Sequence, residues 1–402
     1  MTLSLKNYKN TTEVANLNGV PLYMNDMADA ALRGKLNMFL QGTTGPGKTQ
    51  LVKDIMQYFG DASLFILGRN DMDTRELFQQ VNPKFIKAIQ EGRSSGSDIR
   101  FKELTDKINY HFIGVDELPN CVAAVRAQLF NLFDGFIEID GKAYPIGAEY
   151  CVGMATGNIG QEFTESSNEL GRALKDRMHL IIDTDYFMEQ PDDLYEILKK
   201  DRNPRVRFEE SGEDRTLEIV EAHRALDQKE VPFEKYITAL YLRHGLDYLE
   251  GGKSKTALKS GWPAKVEGHQ AGSDSALILP ISPRAAKSII TLSQALDEIT
   301  QEKGAKERDP FASMMVAYKF VSAKSGILNE ALVNAEYDGN HYAAMDAIID
   351  ATRAQFDQNL DFIAAGIDMV QAGQRNKKVL DKFTERWGFM KSVLQNLAEK
   401  TK

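Results

Sequence analysis

The stretch that decides the fold is Gly42-Thr43-Thr44-Gly45-Pro46-Gly47-Lys48-Thr49. Ahead of it, Leu36-Asn37-Met38-Phe39-Leu40 reads as a short buried strand. Behind it, Leu51, Val52, Ile55, Met56 and Phe59 recur at helical spacing, and Gly60 supplies a stop. A strand, a glycine-rich turn and a helix in that order give G-x-x-x-x-G-K-[ST] its proper context. The glycines let backbone N–H groups turn inward onto phosphate oxygens, where a side chain would block the approach. Lys48 supplies a point charge for the β- and γ-phosphates, and the Thr49 hydroxyl is placed to ligate Mg²⁺. Gln50 continues the nucleotide-binding run into the helix, whose positive end faces the anion. The expected ligand is a nucleoside triphosphate.

The 402 residues suffice for two or three domains at roughly 150 residues each. Hydrophobic residues make up 43% and charged residues 27%, the balance of a globular chain with a sizeable core. A formal net charge of −9 removes the general basic footprint of a nucleic-acid partner, though it does not exclude one. Cys121 and Cys151 fall in apolar-flanked segments and are expected as buried thiols rather than a disulfide or a metal site. The N-terminus lacks the apolar core of a signal peptide, and no run approaches the length of a membrane span, so a cytoplasmic chain is expected.

Residues 1–35 are mixed, with Val14 to Tyr23 expected beside the nucleotide. Ser63-Leu64-Phe65-Ile66-Leu67 reads as a second strand, and an Asp73 or Thr74 cap is expected to start a helix. Tyr110 to Asp116-Glu117 is an apolar run ending in two acids. Downstream of a phosphate loop, Asp116 is expected on the Mg²⁺ side and Glu117 is expected to activate the attacking water. A helix containing Val122, Val125, Leu129 and Leu132 follows, then alternating residues about Asp140-Gly141, a hairpin signal. Tyr150 to Ala155 is a further strand, ending in Thr156-Gly157-Asn158, where Asn158 could hold the water or the γ-phosphate. Arg172 and Arg177 precede the strand His179–Asp183; five residues apart, they point about 140° from each other on a helix and cannot do the same job.

Five strands separated by helical stretches indicate an α/β domain with a parallel sheet and a site at the strand C-terminal ends. Past Pro191 the periodicity turns helical. Residues 250–276 are rich in Gly, Ser and Lys and read as an exposed or disordered insert. Ser282 is expected to cap a helix with Pro283 at its first position, which puts Arg284 in a first turn, a poor place for a cation without an anionic partner. Ile348, Ile349, Thr352, Phe356, Leu360, Ile363, Ile367 and Val370 keep helical spacing for about seven turns, and a second run from Val379 to Leu397 completes a helical hairpin.

These pieces resemble an AAA+ ATPase, and within that class the MoxR-type branch. The resemblance covers roughly residues 15–325 and rests on GTTGPGKT, GVDELP and the hairpin segment FIEIDGKAYPIG ahead of the next strand. MATGN stands where the family shows an ATQN-like sensor, which falls on Asn158; ALKDRM stands where it carries an arginine finger, which falls on Arg177, with Arg172 the second choice. ISPRAA is similar to the family's SPRA, whose arginine is a second sensor, here Arg284. Gly157 in place of glutamine, Gly160, Met178 in place of an aromatic residue, the 250–276 insert and the helical tail depart from the family pattern.

The resemblance implies an AAA+ core over 1–190, a five-stranded parallel sheet with helices on both faces and a pore-facing hairpin near 135–147. A helical lid over 191–325 and a C-terminal helical hairpin over 326–402 follow. It implies ATP hydrolysis with Mg²⁺ in a hexameric ring that remodels a protein client, in some relatives beside a von Willebrand A domain partner. The alternatives are an AAA+ motor or loader on DNA, which a basic hairpin tip would favour where this one has Asp140 and a single Lys142, and a nucleotide-gated scaffold, against which Glu117 and Arg177 argue.

Overall fold

Five strands, apolar through most of their length with polar residues at their ends, as a largely covered parallel sheet requires, carry the first half of the chain. They are β1 (Met38–Gln41), β2 (Ser63–Leu67), β3 (Phe112–Asp116), β4 (Val152–Gly157) and β5 (Leu180–Asp183), in the spatial order β5-β1-β4-β3-β2. The computed structural model describes residues 3, 5–69, 78–81, 87, 102–139, 141–158, 175–200, 203–207, 213–258, 261–262 and 273–400. Asp73, Thr74, Asp140, Gly160 and Arg172 lie outside them.

All four strand pairs are parallel. Met154 and Leu180 both lie opposite Met38, Asp183 opposite Gln41, and Leu67 opposite Asp116. The register therefore gathers the ends of all five strands at one edge, where the phosphate loop leaves β1. Met38, Phe39 and Leu40 are fully buried, each contributing about 1.5–3 kcal/mol through its apolar surface.

Helices α1 (Met24–Arg33), α2 (Lys48–Met56), α3 (Ala123–Phe133), α4 (Pro191–Lys200) and α5 (Thr216–Asp227) complete this unit. α3 packs on an antiparallel hairpin, Phe136–Ile139 with Lys142–Pro145, through the buried Leu129, Leu132, Ile137 and Ile139. A second antiparallel ribbon, Gln79–Val81 with Lys102–Leu104, had no signal in the sequence. Val14 to Tyr23 does not line the cavity at the phosphate loop; the Val14 N–H pairs with the Leu22 carbonyl at 2.8 Å, and the N-terminal segment at that cavity is residues 7–9. Cys121 and Cys151 are free and buried, and burial pushes the Cys151 thiol up to about 12.

The chain divides into two compact units, one of Met1–Asn16 with Pro21–Gln228 and one of Leu17–Val20 with Lys229–Lys402. The expected boundary at 190/191 does not coincide with this division. The second unit is helical. α6 (Phe233–Leu240), α7 (Pro283–Glu302), α8 (Pro310–Ser322), α9 (His341–Gln358), α10 (Leu360–Gln371) and α11 (Gly388–Lys400) are among its elements. The Ser282 hydroxyl accepts the Ala285 N–H at 3.0 Å and Pro283 opens α7.

Two expectations are corrected here. The seven-turn helix is broken at Asn359, between α9 and α10, where φ is −117° and ψ 10°. The Asn359 side chain donates to the Gln355 carbonyl at 2.6 Å, competing with the backbone for a helix acceptor. The 250–276 stretch is not uniformly exposed either. Lys255 is only 1% exposed, and its ammonium donates to the carbonyls of Asp274 (2.8 Å) and Ile278 (2.9 Å). Asp274 is itself buried and bound by both terminal nitrogens of Arg386. Among the described residues no helix is long and apolar enough to cross a membrane.

Candidate functional site

The loop between β1 and α2 turns on three glycines with positive φ, Gly42 (143°), Gly45 (124°) and Gly47 (74°). Gly47 caps α2, and the first intrahelical bond runs from the Leu51 N–H to its carbonyl at 3.0 Å. The amides of Lys48, Thr49 and Gln50 precede that bond, so they are the first-turn donors that a helix leaves for an external acceptor. The Lys48 ammonium is turned onto the loop itself, donating to the Gly42 carbonyl at 3.0 Å and to the Thr43 carbonyl. Burial pulls Lys48 below its ordinary value, and Asp185, Asp116 and Asp183 push it back up.

Asp185, just beyond β5, holds the start of the loop. Its carboxylate accepts from the Thr43 N–H at 2.8 Å and from the Thr43 hydroxyl at 2.9 Å. Nothing local marked it, because it stands 142 residues from its partner.

Asp116 ends β3 and Thr156 lies near the end of the neighbouring β4. Asp116 Oδ1 accepts from the Thr49 hydroxyl at 2.9 Å and from the Thr156 hydroxyl. Thr156 Oγ1 also accepts the Glu117 N–H at 3.2 Å. A single hydroxyl, 2% exposed as a residue, thus ties both acids to β4, while the Thr49 hydroxyl ties Asp116 to the phosphate-loop helix. Glu117 takes a left-handed backbone, φ 57° and ψ 41°, at a cost of about 1–2 kcal/mol, as residues at functional turns often do. Its carboxylate accepts from the Asn120 side chain at 2.9 Å.

Gly157 has a positional reason. A Cβ there would lie 2.4 Å from Pro119 Cδ and 2.9 Å from Phe39 Cζ. The proline after Glu117-Leu118 therefore requires glycine beside the half-buried Asn158.

One cavity of about 880 Å³ is lined by residues 44–50, Asp116, Glu117, Thr156, Gly157 and Asn158, and farther out by residues 7–9, Leu194, Ile197 and 203–207. It brings together Lys48, Thr49, Gln50, Asp116, Glu117 and Asn158. The Gln50 carboxamide bonds Asp54 and the Arg207 backbone, which leaves its backbone N–H for a ligand. Thr156, Tyr8 and Asp54 are cavity residues or supports that the sequence reading missed. Thr156 had the faint signal of preceding Gly157-Asn158 in a strand tip.

Arg177 is not in this cavity. Its carbonyl accepts from the Asn37 side chain at 3.2 Å, ahead of β1, and the phosphate loop leaves the far end of that strand. Four residues of strand separate the two ends, roughly 13 Å. The guanidinium pairs with Asp134 at 2.8 Å and lies over the Phe130 ring, 5.1 Å from its centroid. Arg284 belongs to the other unit, in the first turn of α7.

The donor set suits Mg²⁺, a hard ion that takes oxygen ligands, usually one or two from protein, and keeps water and phosphate for the rest. The Thr49 hydroxyl donates its hydrogen bond to Asp116, so its oxygen lone pairs are left for such a cation.

Residues 37–178 match the family described as an AAA domain of the dynein-related subfamily. No curated protein sequence matches the chain. Among solved structures, a candidate ATPase from Cytophaga hutchinsonii is similar with a TM-score of 0.57 at 18% identity, over 83% of this chain and 88% of that one. A full-length MCM homolog from Methanopyrus kandleri is similar with a TM-score of 0.44 at 13% identity, over 74% of this chain and 54% of that one.

Proposed function

From the premise that the chain is an ATP-hydrolysing enzyme with an AAA+ core, we propose that it works as a hexameric ring that remodels a protein client. In this reading each ATP is shared between the phosphate loop of one subunit and Arg177 of the next. The observation that supports it is the position of Arg177 at the opposite end of β1 from its own phosphate loop. An arginine so placed cannot reach its own γ-phosphate, whereas a neighbour packed against that edge can receive it.

Within one site, Lys48 and the loop amides bind the phosphates, Glu117 polarises the attacking water, and Asn158 holds the water or the γ-phosphate at the strand tip. Thr49 and Asp116 would hold Mg²⁺, which when bound neutralises the charge developing on the transferred phosphoryl group. An arginine finger supplies about 10³–10⁵ in rate in related phosphate-loop enzymes, so an isolated subunit turns over slowly. By the MoxR-type likeness Arg284 is the second sensor of γ-phosphate loss, and the hairpin around residues 135–147 acts on the client. The MoxR-type likeness points to a complex needing maturation as the client, with a von Willebrand A domain protein as companion.

The test is the mass of the Glu117→Gln protein by light scattering, with and without ATP and Mg²⁺. This substitution keeps binding and blocks water activation. Growth from 45.0 kDa to a ring of about six subunits, abolished by Lys48→Ala, supports the shared site. A monomer with ATP bound overturns the assignment of Arg177.

A further inference from the structure

We propose that Gln50 and Asp54 are positioning residues that assemble the nucleoside end of the ATP cavity, and so make the site select a nucleotide over a bare polyphosphate. The two stand one turn apart on α2, the helix that opens from the phosphate loop. Asp54 is 2% exposed. Its Oδ2 accepts the backbone N–H groups of Asn7 (2.7 Å) and Tyr8 (2.8 Å), and its Oδ1 accepts from the Gln50 carboxamide (2.7 Å) and the Asn7 side chain (3.3 Å). Gln50 in turn accepts the Arg207 N–H at 2.9 Å and donates to the Arg207 carbonyl at 3.2 Å. This one pair therefore joins two walls that are remote in sequence, residues 7–9 and 203–207, to α2.

Those walls bring Tyr8, Pro204 and Val206 to the cavity, where Leu194 and Ile197 join them. One aromatic ring among aliphatic side chains suits an aromatic base. The Tyr8 ring also closes on the phosphate loop, since a Cβ on Gly47 would lie 3.3 Å from two of its carbons. Burial pushes its phenol up to about 12, so it stays neutral. Lys200 braces the same segment from α4, donating to the Lys6 carbonyl at 2.8 Å and to the Asn7 side chain at 3.2 Å. The phosphate end uses the loop amides, Lys48 and Thr49, and none of these hangs on the Gln50–Asp54 bonds. Loosening the pair therefore separates the two halves of the ligand.

The inference rests on this cavity being the ATP site. Isothermal titration of Mg²⁺ with adenylyl imidodiphosphate, and of Mg²⁺ with inorganic tripolyphosphate, into wild type, Gln50→Leu and Asp54→Asn tests it. Each variant should bind the nucleotide about tenfold more weakly while tripolyphosphate stays within about twofold. Should Asp54→Asn fail to fold, Gln50→Leu and Tyr8→Ala carry the same comparison, the latter removing a wall without touching the pair. Equal losses on both ligands, or no loss on the nucleotide, overturn the proposal. A wild-type protein that binds neither ligand overturns the ATP-site reading and the proposal with it.

Discussion

Replacing Thr156 with valine removes one hydroxyl from a side chain of nearly unchanged shape, so the loss can be worked from the bonds that oxygen makes. It bonds Asp116 Oδ1 and accepts the Glu117 N–H at 3.2 Å in a site where the residue is 2% exposed. Asp116 keeps its bond from Thr49, but the Glu117 amide loses its acceptor, at a cost of about 1–3 kcal/mol. If about 2 kcal/mol of that falls on the geometry of the two acids, kcat drops roughly 30-fold. The phosphate loop is untouched, so KM for ATP should move less than about threefold. The assay is steady-state phosphate release at saturating ATP with a parallel Mg²⁺ titration. The half-saturating Mg²⁺ concentration should rise, and Thr156→Ser, which retains the hydroxyl, should restore most of the rate. A kcat within about twofold of wild type, or a serine variant as slow as the valine one, refutes the idea that this hydroxyl sets the two carboxylates.

Two further outcomes are expected. Gly157→Ala forces a Cβ to 2.4 Å from Pro119 Cδ and 2.9 Å from Phe39 Cζ, and should destabilise the first unit by about 1–3 kcal/mol; a thermal melt coincident with wild type refutes this. Burial lowers the Lys255 ammonium from its ordinary value to about 8, although the nearby Asp274 and Asp247 favour its charge. A folded value below the unfolded one means that the unfolded chain binds more protons between pH 8 and 10.5, so stability rises with pH across that window. The rise from this group is at most about 3–4 kcal/mol. Subtracting the denaturant stability of Lys255→Met from that of wild type isolates it, and a difference flat with pH refutes it.

The sequence by itself determined what depends on neighbours along the chain. The turn Gly42–Thr49, the acids closing β3, the Ser282-Pro283 helix start and the hairpin of Phe136–Ile139 with Lys142–Pro145 each rest on residue type within a few positions. That range is where residue type constrains conformation directly. The five-stranded sheet followed because apolar runs alternating with helical periodicity admit few other arrangements. Contacts between distant residues were decided only in the tertiary structure. Thr156 meets Asp116 across 40 positions, Asp54 meets Asn7 across 47, Asp185 meets Thr43 across 142 and Gln50 meets Arg207 across 157. Such hydrogen bonds join single polar side chains and leave no periodic trace. For the same reason composition misjudged Lys255, since a lysine is buried when two distant carbonyls accept its protons. The break at Asn359 escaped because apolar spacing runs unbroken through it, and the spacing records which face is buried rather than where the backbone turns.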